Sequence, residues 1–128
     1  MAEDNQLNWE IMQILLEEYG IKADRAENGE ICVKMLKEAD PVRYDMVLMD
    51  VQMPVMDGRE ATRVLRSDSD SGIRDIPVVA ITADAFAEDI YACMEAGMDG
   101  HISKPVDIKQ VLPYLRKAKN GTLHRKED

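Results

Sequence analysis

Long apolar runs are missing from this sequence, and so are aromatic and cysteine-rich segments. Among 128 residues there are one Trp, one Phe, four Tyr and two Cys. The longest apolar runs, residues 46–49 and 78–81, are strand-sized, so no segment is expected to span a bilayer. The N-terminus opens Met1-Ala2-Glu3-Asp4, acidic where a secretory signal is basic, so a cytoplasmic chain is expected. Cys32 and Cys93 stand apart and form no CxxC pair, which favours two reduced, half-buried thiols over a disulfide. No GxxxxGK[ST], GxGxxG or HExxH occurs, which removes support for nucleotide binding and zinc hydrolysis. His101 and His124 lack cysteine partners and suggest no metal site. Basic residues are in deficit: the formal net charge of −9 repels phosphate backbones and argues against nucleic acid as a partner. The same balance suits a pocket that collects metal cations.

At 128 residues, 45% hydrophobic and 32% charged, the chain has the make-up of one globular domain. Hydrophobic periods alternate between two kinds. Leu7, Ile11, Ile14 and Leu15 share a helical face after an Asp4-Asn5 cap, and Gly20 ends that helix. Residues 21–26 read as a strand, followed by a turn at Asn28-Gly29 and a helix with Ile31, Met35, Leu36 and Ala39 inward. Residues 45–50 (DMVLMD) read as a strand buried on both faces, and residues 58–67 as a helix grouping Ala61, Val64 and Leu65. Residues 67–75 read as a polar loop, and their DSDSG run lacks the acids of a calcium loop. A buried strand is expected over 76–83, a helix with Phe86, Ile90 and Met94 closed by Gly97, and a short strand over 101–103. Asp107 caps a last helix carrying Ile108, Val111, Leu112 and Leu115, in which Pro113 predicts a kink or a late start. The domain is set at residues 1–118, and residues 119–128 are read as a polar tail. Nine methionines read as core filler, and Trp9 as a packing or interface residue.

Strands alternating with helices imply βαβ units, hence a parallel sheet covered on both faces. Ligands of such folds bind at the carboxyl ends of the strands. Asp50, Thr82 and Lys104 end successive strands, and Glu3 and Asp4 border the same edge. Three clustered carboxylates repel one another, and a divalent cation removes that cost. An oxygen-only set suits Mg²⁺, which keeps several waters and uses one or two carboxylates with a phosphate. Beside such a metal, a carboxylate can attack phosphorus to give an aspartyl phosphate, with Lys104 and the Thr82 hydroxyl on the phosphoryl oxygens. Ala83 is small enough to leave the approach to Asp50 open.

These stretches resemble the response-regulator receiver domains of two-component signalling. The resemblance is carried by AEDNQLN at 2–8, DMVLMDVQMPVMDG at 45–58, PVVAITADAF at 77–86 and AGMDGHISKPVD at 96–107. In wording the motifs are most similar to receivers of hybrid sensor histidine kinases. The resemblance implies a flavodoxin-like, CheY-like doubly wound sheet of order 2-1-3-4-5. It implies that Asp50 is the phosphoacceptor and that Glu3, Asp4, Asp50 and the Gln52 backbone carbonyl hold Mg²⁺. Thr82 and Lys104 would contact the phosphoryl group, Lys104-Pro105 would be a cis peptide, and Gln52 and Asp84 would tune dephosphorylation. His101, three positions before the lysine, would stand in the place of an aromatic switch residue and follow Thr82 on phosphorylation. A half-exposed strand residue without a switching role is the other reading of His101. Partners would be a histidine kinase or a histidine phosphotransfer protein, and self-phosphorylation with slow hydrolysis the only chemistry. A pseudo-receiver, an interaction module that is not phosphorylated, is the alternative.

The pattern departs from the family at its start. Only Met1 and Ala2 precede Glu3, where a whole strand is usual. A vacant strand position leaves backbone groups on both neighbours without partners. A shortened form, a strand lent by another molecule and a rearranged sheet would each account for it. The expectation is compensation by sheet re-pairing or a homodimer through strand exchange, with Glu3 and Asp4 poorly placed for metal.

Overall fold

The structure is a computed structural model, and it describes residues 1–38, 44–83 and 86–119. Helices α1 (Gln6–Glu18) and α2 (Gly29–Glu38) precede strand β1 (Val47–Asp50). Then come α3 (Gly58–Arg66), α4 (Ser71–Arg74), β2 (Val78–Thr82), α5 (Ala87–Glu95), β3 (Gly100–Ser103) and α6 (Ile108–Lys119). The strands form a parallel sheet of order β1-β2-β3, with Val47 opposite Val78 and Val79 opposite Gly100. Every residue of β1 and β2 is buried, as the unbroken apolar runs require, whereas β3 alternates like an edge.

The two-residue period of the strands sorts the core into two layers. Val47, Met49, Val78 and Ala80 face a cluster completed by Cys32 and Leu36 of α2, Ala61 and Leu65 of α3 and Cys93 of α5. Leu48, Val79, Ile81 and Ile102 face the opposite cluster, with Met12 and Leu16 of α1 and Val111 of α6. Both cysteines are buried and free, and burial pushes both thiols up.

The start of the chain differs most from expectation. Residues 21–26 form no regular strand; Ala26 makes a single parallel bridge to Ala2, and Ala2 also bridges Met49. The Ala2 N–H donates to Leu48 O at 2.8 Å, and Asp50 N–H donates to Ala2 O at 3.0 Å. On the other side, Ala26 N–H donates to Met1 O and Glu3 N–H to Ala26 O, both at 2.9 Å. Residues 1–3 thus occupy the upper end of the first-strand position, which gives the order 2-1-3-4-5 in reduced form. The backbone partners supposed lacking at this level are supplied from within the chain. The reason given for sheet re-pairing or strand exchange therefore falls away at Ala2. Beneath it a cleft of about 400 Å³ runs between Ile21, Ala23, Met46 and Leu48.

Other expectations shift in phase. The buried face of α1 is Trp9, Met12 and Leu16, while Leu7, Ile11 and Ile14 are exposed. Both stripes have helical spacing, and the anchored Ala2 and Glu3 select the one that turns inward. In α2 the buried residues are Gly29, Cys32, Val33 and Leu36, the last three flanked by Ile31 and Met35; Ala39 lies outside the described residues. The loop after α3 contains the one-turn α4, which buries Ile73, an apolar residue too isolated to show a period. Phe86 is exposed, and Cys93 is the buried residue of α5. Helix α6 starts at Ile108 and runs through Pro113, so no late start occurs. Gly20 and Gly97 take positive φ values, 73° and 103°, at the ends expected of them.

The turn after β1 brings α3 hard against the strand end. A Cβ on Gly58 would lie 2.3 Å from Asp50 O and 2.8 Å from Met49 Cγ. Gly58→Ala is expected to lower stability by roughly 1–3 kcal/mol, because the backbone atom it meets cannot move aside. A denaturant titration checks this, and an unchanged midpoint would contradict it.

Candidate functional site

Four elements deliver polar side chains to the carboxyl edge of the sheet. Asp50 is the last residue of β1 and is buried, with 2% of its surface exposed. Thr82, buried, is the last residue of β2, and Lys104 follows β3 directly. Lys104 N–H donates to Thr82 O at 2.8 Å, which ties the two strand ends together. The Lys104-Pro105 peptide is cis. Lys104 Nζ donates to Asp50 Oδ2 at 2.9 Å, an ion pair with a deeply buried carboxylate. Gln52 N–H reaches back to Asp50 Oδ1 at 3.3 Å.

Glu3 and Asp4 complete the edge. Carboxylate oxygens of Glu3, Asp4 and Asp50 all lie within 4.8 Å of one another. The acidic pair is therefore well placed, contrary to the expectation drawn from the short N-terminus, because Ala2 is held on both sides. Glu3 is 1% exposed, and Asn8 Nδ2 donates to its Oε1 at 2.8 Å. Its Oε2 is buried with no hydrogen-bond partner. Burial, reinforced by Asp50, pushes the Glu3 carboxyl from 4.5 to about 7. Burial also works against the charge on Lys104. The hydrogen bond to Asp50, with the charges of Asp50, Glu3 and Asp4, outweighs it and holds the ammonium above its ordinary value.

An orphaned buried carboxylate oxygen beside two further carboxylates fits a hard cation with oxygen ligands, and nothing softer is among the donors. A cleft of about 470 Å³ opens next to the acids. Its walls include Glu3 and Lys104 together with Ile11, Leu15 and Val106, and Ala83 lies exposed on its rim.

His101 lies on β3, half-buried, opposite Ala80, and its carbonyl accepts a bond from the Tyr114 hydroxyl at 3.3 Å. Asp84 lies outside the described residues. Sequence reasoning missed Asn8 and Arg25. Asn8 carried a signal, standing one turn into the helix that follows the acids. Arg25 carried none, since its contacts depend on how residues 21–26 dock beside Glu3.

The Response regulator receiver domain family matches residues 1–116. Among curated proteins, the chain is 35% identical over 117 residues to the sensor protein GacS of Pseudomonas syringae. It is 31% identical over 118 residues to hybrid signal transduction histidine kinase M of Dictyostelium discoideum. Each match takes in 91% of this chain but only 13% and 5% of those relatives' lengths. Among solved structures, the receiver domain of a sensor histidine kinase from Pseudomonas aeruginosa superposes with a TM-score of 0.82 at 30% identity, covering 93% of both chains. That domain was crystallised with a magnesium ion coordinated in its active-site cleft. A receiver domain of a histidine kinase from Syntrophus aciditrophicus superposes at 0.81, also 30% identical, over 99% of this chain and 92% of its own. The chain belongs to the response regulator receiver domain family.

Proposed function

We propose that this chain is a phosphoacceptor of a two-component phosphorelay, taking a phosphoryl group from a phosphohistidine onto Asp50 and changing conformation in response. One observation carries the reading: a buried carboxylate ends a central strand, is paired with Lys104 Nζ at 2.9 Å, and shares its edge with two more carboxylates. Such a group is a poor nucleophile while its charge is crowded. Mg²⁺ held by Glu3, Asp4, Asp50 and the Gln52 carbonyl would neutralise that crowding and the phosphoryl oxygens.

The chain's own residues do the rest. An Asp50 oxygen attacks phosphorus as the phosphorus–nitrogen bond to the donor imidazole breaks, and the imidazole leaves with the bonding pair. Lys104 exchanges its contact with Asp50 for one with a phosphoryl oxygen. The Thr82 hydroxyl takes another, drawing the end of β2 inward, and His101 on the adjacent strand repacks toward it. The differential contact of Thr82 and Lys104 with the phosphorylated form is what shifts the population.

The donor is a histidine kinase or a histidine phosphotransfer protein. Next to the cleft, whose wall includes Ile11, α1 exposes Leu7, Ile11 and Ile14, with 64%, 51% and 60% of their surface open. A solvent-facing apolar stripe beside a reactive group suits a helical partner that brings its histidine to Asp50.

Three outcomes are expected. Incubation with Mg²⁺ and acetyl phosphate adds the mass of one phosphoryl group, and Asp50→Asn abolishes the gain. No gain under any condition would favour an interaction module that is never phosphorylated. Ile14→Asp slows transfer from a phosphohistidine donor by about tenfold or more, as loss of an interface anchor does, with the acetyl phosphate rate unchanged; equal slowing with both donors would contradict this docking face. The third outcome concerns Glu3, whose folded-state pKa lies above its unfolded one. The native state then binds the proton more tightly, so stability falls as pH rises from 4.5 to about 7 and is level above. Without metal, Glu3→Gln should melt higher than the parent at pH 8 and gain nothing at pH 4.5. Added Mg²⁺ should raise the melting temperature of the parent alone. An equal response of both proteins to Mg²⁺ would remove Glu3 from the site.

A further inference from the structure

Arg25 stands in the extended stretch that leads to Ala26, half-buried and directed at the N-terminal segment. Its Nε donates to Glu3 O and its Nη2 to Asp4 O, both at 3.1 Å. One guanidinium therefore grips the main chain at two successive residues, and these carry two of the three clustered carboxylates. Asn8, itself bonded to the cap of α1, reaches the Glu3 side chain as well. Asn5 Oδ1 accepts from Asn8 N–H at 3.0 Å, and Asn8 Nδ2 donates to Glu3 Oε1 at 2.8 Å. The last main-chain bond of the two bridges at Ala2, Glu3 N–H to Ala26 O, ties the start of this turn to the sheet. The fork of Arg25 supplies the next two.

The choice of acceptor matters. An arginine paired with the carboxylates would compete with any cation for the same oxygens. Bound to the carbonyls instead, it orders the turn and leaves Glu3 Oε2 and the Asp4 carboxylate as ligands. Two carbonyls at fixed spacing suit the rigid planar fork of arginine and not the single ammonium of lysine.

We propose that Arg25 is a positioning residue for the metal-binding acidic pair, holding Glu3 and Asp4 convergent on Asp50 before a cation arrives. This rests on the Mg²⁺ reading of the site given above. Charge alone predicts the opposite sign, because a guanidinium near the site repels a divalent cation and its removal should tighten binding. Ordering of ligands predicts that removal weakens binding, and loss of an outer-shell support of this kind typically costs about 10-fold or more in metal affinity.

Calorimetric titration of the full chain with magnesium chloride distinguishes these, using Arg25→Gln and Arg25→Lys after each is shown to melt cooperatively in EDTA. The expected result is a Kd for Mg²⁺ raised by about 10-fold in both, since lysine keeps the charge but loses the fork. The Mg²⁺ concentration giving half-maximal phosphorylation by acetyl phosphate should rise in step, with the rate at saturating Mg²⁺ kept within about twofold. Unchanged or tighter binding in Arg25→Gln would overturn the proposal, as would full retention of affinity in Arg25→Lys. Failure of both variants to fold would assign Arg25 to fold stability instead and also overturn it. If the parent itself bound no Mg²⁺, the metal reading would fail first, independently of Arg25.

Discussion

Ala2 is bonded to the chain on both sides, and the chemistry of the sheet edge depends on that double pairing. Its N–H and C=O are taken by Leu48 and Asp50, while Met1 and Glu3 on either side of it bond to Ala26. Backbone hydrogen bonds are directional and fixed in spacing, so satisfying four of them at once sets where residue 3 begins. Glu3 is carried beside Asp50, and Asn5, two residues on, caps the start of α1. A residue with no reactive group therefore sets the distance between two carboxylates. The phase of α1 follows from the same anchor, which sends Trp9, Met12 and Leu16 into the core and leaves the Leu7–Ile11–Ile14 stripe outside.

What this anchoring creates is locally unfavourable. Glu3 and Asp50 are both buried acids, one cation is bonded to the pair's edge at Lys104, and Glu3 Oε2 has no partner. Burial of like charges costs free energy that packing elsewhere must supply, and here the sheet supplies it with two strands buried at every residue. A neutral replacement at Glu3 would remove that cost. Crowded carboxylates with an all-oxygen donor set fit a hard cation.

Much of this was legible in sequence, for reasons that differ from residue to residue. Asp50, Thr82 and Lys104 could be placed because unbroken apolar runs end at the first two, and strand ends in a parallel α/β sheet share one edge. Their proximity needs no knowledge of loops. Glu3 and Asp4 were identified but misjudged. The expectation treated a strand as whole or absent, whereas one residue paired on both sides anchors the edge. Of the face of α1 expected inward, Leu15 packs against the core but Leu7, Ile11 and Ile14 do not, because Leu7-Ile11-Ile14 and Trp9-Met12-Leu16 have equally good helical spacing and periodicity carries no information on phase. Helix α4 was invisible, since one buried Ile73 in a polar run has no period at all. Arg25 was invisible for another reason: its partners are carbonyls, which every residue has.

The sheet is also asymmetric in a way that bears on how a change at Asp50 could travel. β1 and β2 are buried throughout and flanked on both faces, so a displacement there would open voids in two cores at once. β3 alternates between buried and half-exposed positions, and His101 is one of the latter. Beyond it, α5 exposes Tyr91 and its N-terminal neighbour Phe86, with 64% and 70% of their surface open. These two aromatic side chains present apolar surface to solvent on that side. Thr82 is bonded to Lys104 through its carbonyl, which couples the end of β2 to the residue that follows β3. Packing is thus thinnest at β3, and a rearrangement that began at Asp50 would meet least resistance there.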